Sequence, residues 1–251
     1  MSEPPPPKAV TVIAAVWCGQ ADKETLLRGH MANLDRQTTP HERIYVFDGG
    51  DQPPDWLTGT AVSVREPLTI YQAWNVALSL VQTPFVMNLN LDDRLAVDAM
   101  EVMLVRIEES ADNYLVGGDW KICSTAEETD DVGRCYPISE LPQTQAWPPV
   151  HGVTARIGSG DGLYTWTLGP ACLWRMAAHL TVPRYPYRFL DGTLIRVVGD
   201  GVWWQIIQSH LNKLTVRTPM VVGNYRTWPA NQAEFRYNVD HEVQNTLFSL
   251  L

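Results

Sequence analysis

Basic residues are in short supply: 19 Lys and Arg stand against 28 Asp and Glu, leaving a formal charge of −9. Nucleic-acid binding is driven by Lys and Arg that neutralise phosphates, so a polyanionic backbone is not an expected partner. One small anion in a local pocket is still compatible with this balance. Long apolar runs are also missing. None approaches the ~18 residues of a membrane span, and the N-terminus lacks the basic-then-apolar order of a secretory signal. These absences point to a cytoplasmic protein with no transmembrane segment, for which peripheral membrane association stays open. The 4 cysteines, Cys18, Cys123, Cys135 and Cys172, form no C-x-x-C pair, so reduced thiols packed as small apolar groups are expected. The six histidines make no H-E-x-x-H, which leaves a zinc site without support. Gly158-Ser159-Gly160-Asp161-Gly162 lacks the G-K-[ST] of a phosphate loop and reads as a mobile loop.

What the chain does have is globular. Its 251 residues are 45% apolar and 19% charged, enough to bury about three quarters of the unfolded surface without staples. Tryptophan is abundant, with 10 in the chain, and indole faces suit both core packing and stacking on sugars or bases. Residues 1–8 (MSEPPPPK) read as a solvated polyproline-like arm. Residues 9–251 read as one domain, with a first half over 9–110 and an elaborated second half over 111–251.

Val10–Trp17 is a nearly continuous apolar run, as in a strand buried on both faces of a parallel sheet. Leu26, Leu27, His30, Met31 and Leu34 follow at helical spacing. Ile44–Phe47 and Ala61–Val64 are further strands. Ile70, Tyr71, Trp74, Ala77, Leu78 and Val81 mark an amphipathic helix, Pro84–Leu91 an alternating strand, and Val97–Glu109 another helix. This order predicts an α/β fold with a doubly wound, mostly parallel sheet flanked by helices. Ligands in such sheets sit beyond the carboxyl ends of the strands. Cys18-Gly19-Gln20, Asp48-Gly49-Gly50-Asp51 and Asn90-Leu91-Asp92-Asp93 all fall at that rim. In the second half, Ser124–Pro149 reads as a long excursion in which the acidic run Glu127–Asp131 is a solvated loop. Helices are expected over Ala171–His179 and Asp200–His210.

Two adjacent carboxylates and an amide in Asn90-Leu91-Asp92-Asp93 offer hard oxygen ligands for a divalent cation; an Asp pair there equally suits capping the next helix. From Thr11 to about Trp228 the sequence resembles the family 2 glycosyltransferases of GT-A fold. Arg43–Asp51 (RIYVFDGGD) is similar to their V-V-D-D-G-S turn, Ala73-Trp74-Asn75 to A-R-N, and Asn90-Leu91-Asp92-Asp93 to D-x-D-D. Gly199-Asp200-Gly201-Val202-Trp203-Trp204 resembles the acidic pair before an aromatic helix, and Tyr225-Arg226 a late Y-R. Four positions depart from the pattern: Phe47, Trp74, Asn90 and Gly199. Trp74 removes a diphosphate-binding Arg, for which Arg94 or Arg65 is the expected substitute.

The resemblance implies transfer of a sugar from a nucleotide diphosphate sugar, by family habit a UDP-sugar, to a saccharide or other hydroxyl acceptor with inversion, in polysaccharide or glycoconjugate synthesis. It implies Asp200 as the catalytic base and a divalent metal, manganese or magnesium, on Asp92 and Asp93. Asp48, Gly49, Asn75, Asn90, Asp92 and Arg94 would bind the donor, with Asp48 on the nucleobase. Trp166, Trp203, Trp204, Tyr225 and Arg226 would face the acceptor, and His151 is a minor candidate there. The four departures keep an alternative in view: a GT-A-like binding or scaffold protein without turnover. A nucleotidyltransferase would require a basic, Gly-rich loop after the first strand, and Trp17–Asp22 is not one.

Overall fold

Val10–Val16 forms β1, buried along nearly its whole length, because it runs through the middle of the sheet with a parallel neighbour on each side. The computed structural model describes residues 8–147, 154–156, 163–165, 168–189, 191–196, 199–210 and 214–227. After β1 come α1 (Lys23–Asp35), β2 (His41–Phe47), β3 (Thr60–Ser63), α2 (Ile70–Leu78) and β4 (Phe85–Asn88). The four strands are parallel in the order β3-β2-β1-β4, as the alternation of apolar strand and amphipathic helix predicts. A capping box starts α2: Thr69 Oγ1 accepts from Gln72 N, and Gln72 Oε1 accepts from Thr69 N, closing two orphan donors at once.

The chain continues through β5 (Arg94–Leu95), α3 (Ala99–Glu108), β6 (Asn113–Cys123), α4 (Ala126–Asp130), β7 (Tyr136–Pro137) and β8 (Ala146–Trp147). Then come β9 (Thr154–Arg156), β10 (Leu163–Thr165), β11 (Leu173–Arg175), α5 (Gly199–His210) and β12 (Leu214–Arg226). β9 and β10 make a separate two-stranded ribbon. The main sheet has ten strands and extends past β4 as β11-β6-β12-β5, with β7 on β12 and β8 on β6. β6 and β12 run parallel to the first four strands, whereas the short β5, β7, β8 and β11 run the other way. The sheet is therefore mixed in its second half.

Two expectations change here. Ala171–His179 is not a helix but β11 followed by a 3-10 turn over Met176–Leu180; a strand is needed to bridge β4 and β6. The Ser124–Pro149 excursion is built up to Trp147, with α4 opened by a second capping box from Thr125 to Glu128. The glycine loop 158–162 lies outside the described residues.

One face of the sheet packs Ile13, Val46, Val86 and Trp174 against Trp74 of α2 and Trp203 and Ile207 of α5. The other packs Val12, Met87, Trp120 and Val222 under Met100 and Met103 of α3. Five tryptophans (Trp74, Trp120, Trp174, Trp203 and Trp204) are thus core residues. Among the described residues no helix is long and apolar enough to cross a membrane.

Candidate active site

The rim is assembled where β1, β2 and β4 end. Asp48, the residue after β2, is buried; its Oδ1 accepts from Cys18 N at 2.6 Å and its Oδ2 from Leu68 N at 2.8 Å. One carboxylate thereby ties the end of β1 to the loop that starts α2. Gly49 and Gly50 follow with φ of 62° and 83°, the left-handed region that favours glycine. A Cβ at Gly49 would also stand 2.6 Å from Cys18 Sγ, so the turn fits tightly against the end of β1. Asp51 closes it by pairing with Lys23 at the start of α1.

Trp17 is the rim residue that sequence reasoning passed over. It is 54% exposed, and its indole lies over Gly19, where a Cβ would come within 2.5 Å of the ring. The available signal was its place as the last residue of the apolar run, one before the backbone N–H that Asp48 holds.

β4 ends at Asn88, whose amide accepts from Cys172 N at 3.0 Å and donates to Pro170 O at 2.9 Å. The acidic turn that follows is not symmetrical. Asp92 is half-buried, whereas Asp93 is fully buried. Asp93 Oδ1 accepts from Arg226 N at 3.2 Å and its Oδ2 from Asn90 Nδ2 at 3.3 Å. Burial and the neighbouring Asp92 charge push the Asp93 carboxyl well above the usual carboxylate range, against the pull of those two donors. Burial also raises Asp92, while the Arg226 and Arg94 guanidiniums draw it down. Asp93 is thus an internal brace, and the expected pair of side-by-side metal ligands is corrected to one rim carboxylate.

Asn90 Oδ1 is buried and accepts no hydrogen bond among the described residues. Nor do those residues hold a cluster of three or more His, Cys, Asp or Glu able to cage a metal. What remains is one carboxylate with one unsatisfied amide oxygen. That set does not make an all-protein cage, but it fits a Mg²⁺-type ion, which takes one or two protein oxygens and fills its shell with water and phosphate.

Arg94 lies beneath the acidic turn. It is 5% exposed; Nη1 donates to Leu91 O at 2.7 Å and to Asp93 O at 2.8 Å, and Nε to Asp130 Oδ1 at 2.7 Å. A Cβ at Gly29 of α1 would come within 2.2 Å of its Nη2. Arg94 braces the acidic turn from inside and is corrected from donor ligand to scaffold. Asn75 is similarly committed: Nδ2 donates to Tyr185 O at 2.8 Å and Oδ1 accepts from Tyr185 N at 3.0 Å. Both ends of its amide latch the 183–189 segment to α2. Trp74, which stands where the resemblance has Arg, is buried between Tyr71 and Tyr185.

Asp200 lies in the first turn of α5, half-buried. Its Oδ1 accepts from Gly201 N at 2.8 Å and from the Tyr71 hydroxyl at 3.4 Å. Tyr71 opens α2, whose preceding loop is held by Asp48, so Asp200 joins the same rim through α2. Trp203 and Trp204 turn away from it into the core. Trp203 Nε1 donates to Pro183 O at 2.8 Å, and its ring meets Trp174 at 5.2 Å and Tyr185 at 4.9 Å. Both are corrected from acceptor contacts to packing. Tyr225 is half-buried against Trp147, with ring centroids 5.7 Å apart. Arg226, assigned from sequence to the acceptor side, is brought instead to the acidic turn, where its charge acts on Asp92. Trp166, His151 and Asp161 lie outside the described residues.

No protein-family profile matches the sequence, and no curated protein matches it in sequence. Solved structures match in fold. S. aureus TarS 1–349 in complex with UDP aligns with a TM-score of 0.59 at 16% identity, over 96% of this chain and 66% of that one. A further structure of TarS 1–349 gives 0.57 at 14% identity, over 87% and 60%. The mannosyltransferase PcManGT from Pyrobaculum calidifontis, in complex with GDP-Man and Mn2+, gives 0.53 at 14% identity, over 88% and 59%. The chain spans less than two thirds of the length of each. Likeness at such identities carries the architecture and no more. This chain has the fold of glycosyltransferase structures: a mixed α/β sheet flanked by helices.

Proposed function

We propose that this chain transfers a sugar from a nucleotide diphosphate sugar, a UDP-sugar in the first instance, to a hydroxyl acceptor with inversion. The observation that carries the reading is the linkage at the strand ends: Asp48 holds the loop that starts α2, and Tyr71 of α2 meets Asp200. Around that linkage stand the exposed Trp17 indole, an acidic turn and a separate carboxylate. Neighbours of the same fold that hold UDP, or GDP-Man with Mn2+, support it.

The chemistry follows from the residue types. The exposed Trp17 indole offers a face for the base, with Asp48 beside it. Asp92 and Asn90 would hold a divalent metal, which would neutralise the diphosphate and favour its departure. Arg226 adds a fixed positive charge on the same side, in place of the Arg that Trp74 replaces. Asp200 accepts the proton of the acceptor hydroxyl as its oxygen bonds to the anomeric carbon. The anomeric carbon–phosphate oxygen bond breaks in the same step, and its electron pair leaves with the diphosphate. Direct displacement from the opposite face inverts the centre.

The test is a thermal-shift panel of nucleotide diphosphate sugars with and without manganese, followed by turnover with Asp200→Asn. A native-state ligand raises the melting temperature by linkage. UDP-sugars should give the largest shifts, enlarged by manganese. Asp200→Asn should lower turnover at least ~10²-fold, as for loss of a positioned base, with UDP affinity unchanged. Binding without turnover in the native chain would favour the scaffold reading, which the single rim carboxylate at the metal turn also fits.

A further inference from the structure

The aromatic ring under Asp200 is held unusually tightly for one so close to the rim. Tyr71 is 3% exposed. Trp74 meets it edge-on at 5.6 Å, and Tyr185 stacks on it at 6.1 Å with 28° between planes. On its remaining side lies the start of α5. A Cβ at Gly199 would stand 2.8 Å from both Cδ2 and Cε2 of the Tyr71 ring, and 2.8 Å from Pro186 O. Space, not backbone conformation, is what calls for glycine at 199. The Tyr71 ring and the first turn of α5 therefore fix each other's position.

This fit sets the hydroxyl 3.4 Å from Asp200 Oδ1, the oxygen that Gly201 N also serves at 2.8 Å. Long hydrogen bonds of this kind in ligand-free sites tighten when substrate is bound. We propose that Tyr71 is the positioning residue of Asp200: held against Gly199, its hydroxyl orients the carboxylate and keeps it in the proton-accepting form. The proposal rests on Asp200 as the base and adds the group that acts through it. A hydrogen bond donated to a carboxylate favours its ionised state. Among the described residues, the Cys172 thiol next to β11 and the Tyr185 phenol lie in the field of Asp200. Burial raises both, and the Asp200 charge raises them further, so they face it as neutral groups.

The test is Tyr71→Phe, read by carbon NMR on the full chain labelled at aspartate carboxyls, with the Asp200 signal identified by its absence in Asp200→Asn. The Asp200 titration midpoint should move to higher pH in Tyr71→Phe. Turnover on the acid side of the profile should fall ~3–10-fold, the scale of one net hydrogen bond, with UDP affinity unchanged. Gly199→Ala, which pushes on the ring without touching the hydroxyl, should move the midpoint the same way. It carries the test if Tyr71→Phe does not fold. The double variant should add little to either single one, because the two act through one contact. An unmoved Asp200 midpoint in the folded variant overturns the proposal. Full turnover in Asp200→Asn overturns the base assignment instead and leaves the NMR result standing, so the two failures are told apart.

Discussion

Asn75→Ala separates scaffold from donor site most sharply. The Asn75 amide gives one hydrogen bond to each backbone group of Tyr185, at 2.8 Å and 3.0 Å, and Tyr185 is 2% exposed. Truncation leaves a buried N–H and a buried C=O without their partner, each at ~1–3 kcal/mol. Water entering the space left by the amide recovers part of this, so a loss of about 3 kcal/mol is expected. In a chain of this size each kcal/mol lowers Tm by ~2–4 °C, which places the fall at about 6–12 °C. Asn75→Asp keeps the acceptor but sets a carboxylate against Tyr185 O, and should cost about as much. Thermal melting gives the first quantity, and calorimetric titration with UDP well below the melting range gives the second, which should equal that of the native chain. A variant that melts normally yet loses UDP would return Asn75 to the donor site and refute the clasp.

Asp92→Ala should abolish manganese-dependent UDP binding and leave the melting curve in place; manganese-dependent affinity that survives it would remove Asp92 from the metal turn. Trp17→Ala should weaken UDP by ~5–160-fold, the range for loss of one base–aromatic stack at ~1–3 kcal/mol, with little change in stability because the indole is 54% exposed; equal UDP affinity in titration would count against the platform. Acid should destabilise the fold through His30, which is fully buried and pushed down to about 3 by burial and by the charges of Arg94 and Arg43. Below pH ~6.5 the unfolded chain binds a proton that folded His30 refuses, so stability falls as pH drops towards 3, by ~1.4 kcal/mol per pH unit. His179, pushed down to about 4, acts in the same sense, while the raised Asp93 carboxyl acts in the opposite one. Urea midpoints from neutral pH to pH 5 should fall less steeply in His30→Leu, and identical slopes would clear His30 of the effect.

The first half of the fold was legible because its strands are apolar runs that end in polar turns, and its helices keep a helical period. β6 was not, since Gly117-Gly118-Asp119 in its centre reads as a turn. The structure needs those glycines: a Cβ at Gly117 would sit 2.3 Å from Leu168 O, and one at Gly118 would sit 2.5 Å from Val222 Cγ1. β12 was hidden by Pro219, which the strand tolerates through a register shift between Arg217 and Val221. The short apolar β11 does not differ from a helix by period, and only its place between β4 and β6 decides. At the site, Asp48, the acidic turn and Asp200 were visible as polar residues at element ends. Which of Asp92 and Asp93 faces outward was not, because the direction of a four-residue turn is set by Arg226 and Arg94 around it. Trp203 and Trp204 misled because an aromatic stripe on a helix has the same spacing whether it lines a cleft or fills a core.

The hydrogen bond from Arg226 N to Asp93 joins positions 133 residues apart, and it has a bearing on how the protein is made. Contacts so distant in sequence must await closure of a long loop, which slows folding. During synthesis the acidic turn stays open on one side until β12 has emerged. Asn88 waits in the same way for the segment at Pro170 and Cys172. The N-terminal half therefore carries Asp48 and Asp92, the donor residues proposed above, without the contacts that fix the acidic turn, and a fragment ending near residue 110 would expose the edge of β4 to chance pairing with other chains. Nucleotide affinity should arise late, with the whole sheet, and the halves should not be exchangeable as modules between related proteins.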